Sequence, residues 1–246
     1  LAICLELQLE LVLIFPTFSF AKSRSMSLRQ EVAVEKRGER RFAVHGSPVD
    51  CVLIGLNGLL DGRLPDLVLS GVNSGGNLAD DVGFSGTLGA CFESAQEGVP
   101  GIGMSQTRGG PKLEVPGPVD WRCAKSMAAR LLPTLVESLA GPRSLLNVNF
   151  PAVAGPEAVK GIVAAPCGWR DTETRIRKVG EDGERQTFKI APLRDNIASD
   201  DNCDLALTQR GYVTVTPLRL DDTDHDRMAE LEQVLSRLVP TGLGQA

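Results

Sequence analysis

The 246-residue chain is poor in histidine, in aromatic residues and in closely spaced cysteines. It has two histidines, and its six cysteines form no C-x-x-C pair. No zinc-type ligand cluster is therefore visible, and a thiol-dependent redox protein is disfavoured. An even number of cysteines leaves disulfides open. Their scatter along a chain large enough to have its own core favours reduced, mostly buried thiols in a cytoplasmic protein.

The chain also lacks an excess of positive charge and a long uncharged apolar run. Its formal net charge of -5 and pI of about 5.2 argue against nucleic-acid duplexes and anionic membranes as partners. The net charge does not exclude a small phosphate ester as a ligand. The apolar residues 1–20 include Glu6 and Glu10, and residues 5–11 alternate, which predicts a strand rather than a signal peptide or membrane span.

The residues that are present predict one large α/β unit or two closely joined domains. Apolar residues make up 42% of the chain and charged residues 23%, which suffices for a sizeable core. Short strands are predicted at residues 41–44, 67–69, 102–105, 145–150 and 211–217. Helices are predicted to begin near Ser47, Ser85, Asp120 and Asp224. This alternation predicts a doubly wound parallel sheet, with an exposed arm or hairpin at residues 170–187.

A glycine-rich loop is predicted at residues 70–77, after an apolar run at residues 67–69 that suits a strand covered on both faces. Ligands of open α/β sheets bind outside the carboxyl ends of strands, so this loop is the leading site candidate. Its glycines, Gly75 among them, would let backbone amides approach a phosphate, and the Asn73 side-chain oxygen could coordinate a hard cation. An ordinary glycine-rich turn explains the loop equally well.

A second candidate element is the sequence Ser85, Gly86 and Thr87 at a predicted helix start, where backbone amides favour an anion such as phosphate. The alternative is that Ser85 only caps the helix. The adjacent Asp80 and Asp81 resemble a metal-binding pair. Acids just ahead of a helix are more often solvated or stabilise the helix dipole, and we favour that interpretation.

No catalytic residue can be assigned from the sequence. His45 and His225 are interpreted as surface residues, since neither has a supporting pattern around it. Cys51 and Cys91 lie in predicted buried helices without a paired base, so nucleophilic roles are disfavoured.

Five segments, taken in order, resemble motifs of the SurE family of metal-dependent nucleotidases. Residues 46–52 (GSPVDCV) are similar to G-T-P-x-D-C-V, and residues 65–78 (PDLVLSGVNSGGNL) to P-D-L-V-V-S-G-I-N-x-G-x-N-L. Residues 85–87 match S-G-T, residues 146–151 match L-N-V-N-x-P, and residues 211–218 match G-Y-V-S-V-T-P-L. The resemblance covers roughly residues 23–238, and several ordered motifs are more specific than any single loop.

The resemblance implies a Rossmann-like core at residues 23–151, and a smaller remainder at residues 152–246 with an extended arm and a C-terminal helix. It also implies a cytoplasmic homodimer or homotetramer that hydrolyses nucleoside 5'-monophosphates, with 3'-monophosphates as a second substrate class, to nucleoside and phosphate. The cofactor implied is one divalent cation per subunit, Mg2+ or Mn2+. Of the family's metal ligands, the asparagine carries over onto Asn73.

The N-terminus departs from the family pattern. No N-D-D-G occurs before residue 46, and an ungapped alignment places the family's metal-binding serine at Phe20. Residues 1–22 are therefore expected to be foreign to the family, and the sheet to lose its first strand unless residues 5–15 replace it. One neutral asparagine predicts weak metal binding and little turnover. The alternative is a catalytically inactive SurE-like protein that binds nucleotides or a partner.

Overall fold

The computed structural model describes residues 12–16, 24–108, 119–198 and 200–238. The predicted alternation of residues 5–11 and the position of Phe20 lie outside these described residues.

A small sheet lies near the N-terminus. It contains β1 (Leu13–Pro16), β2 (Val34–Gly38) and β3 (Arg41–Val44), with β3 in the middle, parallel to β1 and antiparallel to β2. Part of the predicted N-terminal strand thus exists, but it pairs with β3 and not with a strand of the larger sheet.

The larger sheet carries the core of the fold. Its strands are β4 (Val68–Ser74), β5 (Gly101–Gln106), β6 (Leu145–Phe150) and β7 (Gly161–Ala164), joined after a long hairpin by β10 (Tyr212–Leu218). Their order is β4-β5-β6-β10-β7. Neighbouring strands are parallel except for β6 and β10, which are antiparallel. The hairpin consists of β8 (Arg170–Asp182) and β9 (Arg185–Ala198).

The first helix begins where the sequence predicts it. Helix α1 (Pro48–Ile54) continues as a π-helical turn over Gly55–Leu59. Ser47 Oγ accepts the Asp50 N–H at 3.1 Å, and an Asp50 carboxylate oxygen accepts the Ser47 N–H at 2.7 Å. This reciprocal pair satisfies backbone donors that a helix start otherwise leaves open, and it confirms the predicted helix start near Ser47.

Helices cover both faces of the large sheet. Helices α2 (Gly86–Gln96) and α3 (Arg122–Glu137) pack against it and α4 (Asp204–Gln209) contacts β10, whereas α5 (His225–Ser236) contains no buried residue. Leu146, Val148 and Phe150 of β6 pack with α3, whereas Leu145 packs with α2 on the other face. The doubly wound α/β architecture is therefore confirmed.

Strand β4 corrects two predictions. The predicted loop at residues 70–77 is strand as far as Ser74, because the pairing with β5 resumes at Asn73 and Ser105 after an irregularity. The expected coverage of this strand on both faces is also wrong. Leu69 is 39% exposed, and β4 is one of the two edge strands of its sheet.

The predicted hairpin and final helix are confirmed, with longer strands in the hairpin. Strand β9 extends to Ala198, beyond the predicted end at residue 187. Helix α5 begins after the N-cap residue Asp224, and none of its residues is buried.

Candidate functional site

The carboxyl end of β4 presents Asn73 and the turn that follows it. Asn73 Nδ2 donates to the Gly75 carbonyl oxygen at 2.9 Å, which leaves Oδ1 as the coordinating atom of this side chain. Gly75 has φ +122 and Gly71 has φ +121, a backbone region that favours glycine. A Cβ at Gly71 would lie 2.3 Å from the Met104 carbonyl oxygen, so this glycine serves the close contact with β5.

A network of buried amide side chains holds the turn after β4 against β5 and β6. The Asn77 N–H donates to Asn149 Oδ1 at 2.8 Å, and Asn77 Nδ2 donates to Ser105 Oγ at 2.7 Å. The Asn77 carbonyl oxygen accepts from Asn147 Nδ2 at 2.8 Å and from Asn149 Nδ2 at 3.1 Å. All four side chains are buried, and every bond ties the turn to β5 or β6.

The alternation of β6 explains why these asparagines meet the turn. Leu146, Val148 and Phe150 face α3, so Asn147 and Asn149 face the opposite side, where the chain after β4 crosses the sheet. Buried amides are stable only when hydrogen-bonded, and the Asn77 backbone supplies their partners. The sequence carried a signal for this network, because two asparagines alternate with apolar residues in a buried strand.

Helix α2 begins at the same edge of the sheet. It connects the parallel strands β4 and β5, so its N-terminus lies near the carboxyl end of β4. Ser85 Oγ accepts the Leu88 N–H at 3.1 Å, which confirms Ser85 as the cap. Helix geometry leaves the N–H groups of Gly86 and Thr87 without intrahelical acceptors, as an anion site requires.

Asp81 is an ion-pair partner and not a solvated acid. It lies in a 3-10 helix at Ala79–Phe84, and its carboxylate pairs with the Arg170 guanidinium, both side chains being largely buried. The interpretation of Asp81 as solvated is therefore wrong, because the base of the hairpin packs over this helix. Burial lowers the pKa of Arg170, against the opposing effect of nearby acids.

Asp204, on α4, was not singled out from the sequence. Its buried carboxylate accepts the N–H groups of Ala79 at 3.0 Å, Gly168 at 3.0 Å and Leu205 at 2.7 Å. Burial raises the pKa of Asp204, although these backbone hydrogen bonds oppose the rise. One side chain thus joins the 3-10 helix, the base of the hairpin and α4. No short-range sequence pattern predicts hydrogen bonds between residues so far apart in the chain.

A positive charge lies on the site turn. The exposed Arg108 donates through Nη2 to Ser74 Oγ at 2.6 Å and to the Ser74 carbonyl oxygen at 3.2 Å. Ser74 directly follows Asn73, so a guanidinium borders the candidate ligand atom.

The two histidines and the cysteines have the surroundings that the sequence predicts for them. His225 is exposed and contacts Asp221 at 2.6 Å, and the partly exposed His45 contacts Glu35 at 2.8 Å. Burial raises the pKa of the Cys91 thiol to about 12, which disfavours the nucleophilic thiolate. The five cysteines within the described ranges are unpaired, and four of them are buried.

The side chains around Asn73 do not fit a tightly held divalent cation. Within residues 12–16, 24–108, 119–198 and 200–238, no group of three or more His, Cys, Asp or Glu side chains is arranged to hold a metal ion. Asp81 and Asp204 are already engaged with Arg170 and backbone amides. Hard cations take several oxygen ligands, of which Asn73 offers one neutral atom.

Comparison with known proteins gives consistent matches along the chain. The family described as Survival protein SurE matches residues 3–174. The 5'-nucleotidase SurE of Rhizorhabdus wittichii is 39% identical over 211 residues, covering 84% of this chain and 80% of the relative. That of Beijerinckia indica is 36% identical over 223 residues, covering 90% and 84%.

The fold has a counterpart among solved structures. The crystal structure of the SurE protein from Aquifex aeolicus superposes with a TM-score of 0.75 at 26% identity, covering 91% of this chain and 88% of that one. Among the helices in the described part of the chain, none is long and apolar enough to cross a membrane.

Proposed function

Because this chain belongs to the SurE family, we propose that it hydrolyses nucleoside 5'-monophosphates, with 3'-monophosphates as further substrates, to nucleoside and phosphate. By family it is a nucleotidase, a phosphoric monoester hydrolase. The observation that carries the proposal is the meeting of the Asn73 turn and the first turn of α2 at one edge of the sheet.

The substrate phosphate binds between these two turns in the proposal. Gly75 has no side chain to obstruct an anion, and the amides of Gly86 and Thr87 point out of the first turn of α2. Ser85 holds that turn by capping it, and Thr87 is partly exposed. The helix dipole adds a favourable potential for the negative charge.

A divalent cation, Mg2+ or Mn2+ and one per subunit, takes Asn73 as a ligand in the proposal. The described residues offer no cluster of three or more His, Cys, Asp or Glu side chains to complete that set, so we expect the 246-residue chain to hold the ion weakly and to turn over slowly. The same observation favours the second candidate function, a catalytically inactive SurE-like protein that binds nucleotides or a partner.

Phosphate release separates the two functions. The chain is incubated with a panel of 5'- and 3'-nucleoside monophosphates, with Mn2+ or Mg2+, and in parallel with a chelator. Slow release that the chelator abolishes supports hydrolysis. No release from folded protein whose melting temperature rises with nucleotide supports the inactive nucleotide-binding protein, and overturns hydrolysis for this chain.

Point variants test the proposed site residues. Asn73→Ala is expected to remove the metal-dependent release, and Thr87→Ala to raise KM for nucleotide several-fold. Asn202→Ala is the matched control, since Asn202 is an exposed asparagine outside the proposed site. Unchanged kinetics in Asn73→Ala or Thr87→Ala would remove that residue from the proposal.

A homodimer or homotetramer is the proposed assembly, with α5 at an interface between copies. The helix has an apolar stripe whose members are all exposed in the single chain: Met228, Leu231, Val234 and Leu235. Burying such a stripe against a second copy removes it from water. Light scattering is expected to give a mass of two or four chains, and Leu231→Glu to shift it towards one. Gln233→Glu adds the same charge on the opposite side of α5 and should leave the mass unchanged.

The cytoplasm is the proposed location, and small nucleotides rather than nucleic-acid duplexes or membranes are the proposed partners. The unpaired cysteines of the described ranges support a reducing compartment. The net charge of -5 supports the exclusion of polyanions. Fractionation and a gel-shift assay with duplex DNA test these two points.

A further inference from the structure

Two aromatic side chains project into solvent on segments that form or contact the 3-10 helix preceding α2. Trp169 is 72% exposed and Phe84 is 68% exposed, more than any other aromatic side chain in the described part of the chain.

Both residues are attached to rigid supports. Phe84 ends the 3-10 helix at Ala79–Phe84 and directly precedes the α2 cap, Ser85. Trp169 lies between Gly168, whose N–H is held by Asp204, and Arg170, whose guanidinium pairs with Asp81. Because the Gly168 N–H and the Arg170 side chain are both held, the backbone position of Trp169 is set by the fold.

These supports also join the two segments that carry the aromatics. The single Asp204 carboxylate accepts N–H groups from both Gly168 and Ala79, so the segment before Trp169 lies against the start of the 3-10 helix. The Asp81–Arg170 pair joins the same two segments, three residues before Phe84 and one residue after Trp169. Because the α2 cap, Ser85, directly follows Phe84, the segment that carries Trp169 is tied to the residues that lead into the first turn of α2.

We infer that Trp169, assisted by Phe84, binds the nucleobase of the substrate by stacking. This inference rests on the proposed function, because the phosphate position fixes where the base must lie. A nucleoside monophosphate bound through its phosphate at Gly86 and Thr87 extends its ribose and base away from the helix start. Aromatic faces accept any base, since every base has a π-surface, so the surface selects for a base without selecting which one.

Fluorescence provides a test that does not depend on turnover. The chain has two tryptophans, and Trp121 packs against the core beside α3, so Trp121→Phe leaves Trp169 as the only indole. AMP and adenosine are expected to change the emission of Trp169 saturably, whereas ribose 5-phosphate is not. If AMP raises the melting temperature of this variant without changing the emission, the inference is overturned.

Substitution at Trp169 tests the energetic role. Trp169→Ala is expected to raise Kd for AMP by roughly 5- to 150-fold, the range that base stacking on aromatic side chains spans. Trp169→Phe should restore most of the affinity, and Kd for ribose 5-phosphate should stay the same. Phe188→Ala, which removes another exposed aromatic on the hairpin, is the matched control.

The possible outcomes distinguish this inference from the proposed function. Saturable base-dependent binding without phosphate release retains base stacking and removes hydrolysis. Phosphate release with equal loss of affinity for AMP and ribose 5-phosphate in Trp169→Ala retains hydrolysis and removes base stacking. A change in molecular mass in Trp169→Ala, measured by light scattering, assigns Trp169 to an interface between copies and also overturns the inference.

Discussion

Asn77 and Asn149 form two hydrogen bonds across 72 residues of sequence: the Asn77 N–H donates to Asn149 Oδ1 at 2.8 Å, and Asn149 Nδ2 donates to the Asn77 carbonyl oxygen at 3.1 Å. One buried side-chain amide thus satisfies both backbone groups of a residue in the site turn. The position of that turn depends on β6 as much as on its own sequence.

Asn149→Leu preserves the approximate volume of the side chain but removes both hydrogen bonds to Asn77 and the one that Asn149 Nδ2 donates to Asn147 Oδ1 at 3.2 Å. Because a buried backbone donor left unpaired costs about 1–3 kcal/mol, we expect the free energy of unfolding to fall by about 2–3 kcal/mol. Urea unfolding followed by circular dichroism measures this. Asn202→Leu, at an exposed position, is the control and should stay within about 0.5 kcal/mol of the parent. Equal stability of the two variants would show that the network is not needed.

Asp204→Asn tests the bridge between α4 and the 3-10 helix. An asparagine has one accepting oxygen, so either the Ala79 or the Gly168 N–H would face an amide NH2 in a buried place. We expect a loss of about 1–3 kcal/mol in the free energy of unfolding. Asp66→Asn, at an exposed position, controls for the removed charge. A larger loss in the control would contradict the prediction.

The Asp50 carboxylate should make stability depend on acid pH. Burial raises its pKa, but hydrogen bonds from Ser27 and Ser47 outweigh this, and the net pKa lies below the ordinary value of 3.8. A carboxyl with a lowered folded pKa stabilises the protein above its unfolded pKa, and this contribution is lost as pH falls through the folded pKa. The difference in melting temperature between the parent and Asp50→Asn should therefore be full at pH 7 and shrink below pH 3.8. A difference that grows on acidification would refute the sign.

Gly71→Ala and Gly62→Ala separate steric contact from backbone conformation. Both glycines have positive φ, +121 and +75, but a Cβ at Gly71 meets the Met104 carbonyl oxygen at 2.3 Å, and one at Gly62 meets nothing within 4 Å. Gly62→Ala should lower the free energy of unfolding by about 1–2 kcal/mol, the cost of left-handed backbone. Gly71→Ala should lose about 2–5 kcal/mol, because overpacking adds to that cost. Urea midpoints of the two variants should differ accordingly.

Local patterns predicted most of the fold. The capping pair Ser47 and Asp50, and the cap Ser85, appear in the structure where the sequence has them, because capping depends on neighbours a few residues apart. The exposure of β4 was not predictable in the same way. An apolar run such as residues 67–69 gives no information on whether the strand lies inside a sheet or at its edge.

In the candidate site too, residues with local sequence signatures could be predicted, and contacts between distant residues could not. Asn73 and the first turn of α2 could be found because glycines and caps have local signatures, although their roles remain predictions. The engagement of Asp81 by Arg170 could not be found, since the two residues are 89 positions apart and an acid beside a helix start has several ordinary explanations. Asn147 and Asn149 could be predicted only in part. Their alternation with apolar residues was visible, but their partner was not.

The hydrogen bond between Asp204 and the Ala79 amide spans 125 residues, and this separation has a consequence for the order of folding. Contacts between distant residues form only after a large chain entropy has been lost, so they tend to be late and slow. During synthesis, the turn after β4 leaves the ribosome long before Asp204 does. The geometry of the site is therefore completed by one of the last helices to be made, and partly synthesised chains would hold the turn without its bridge.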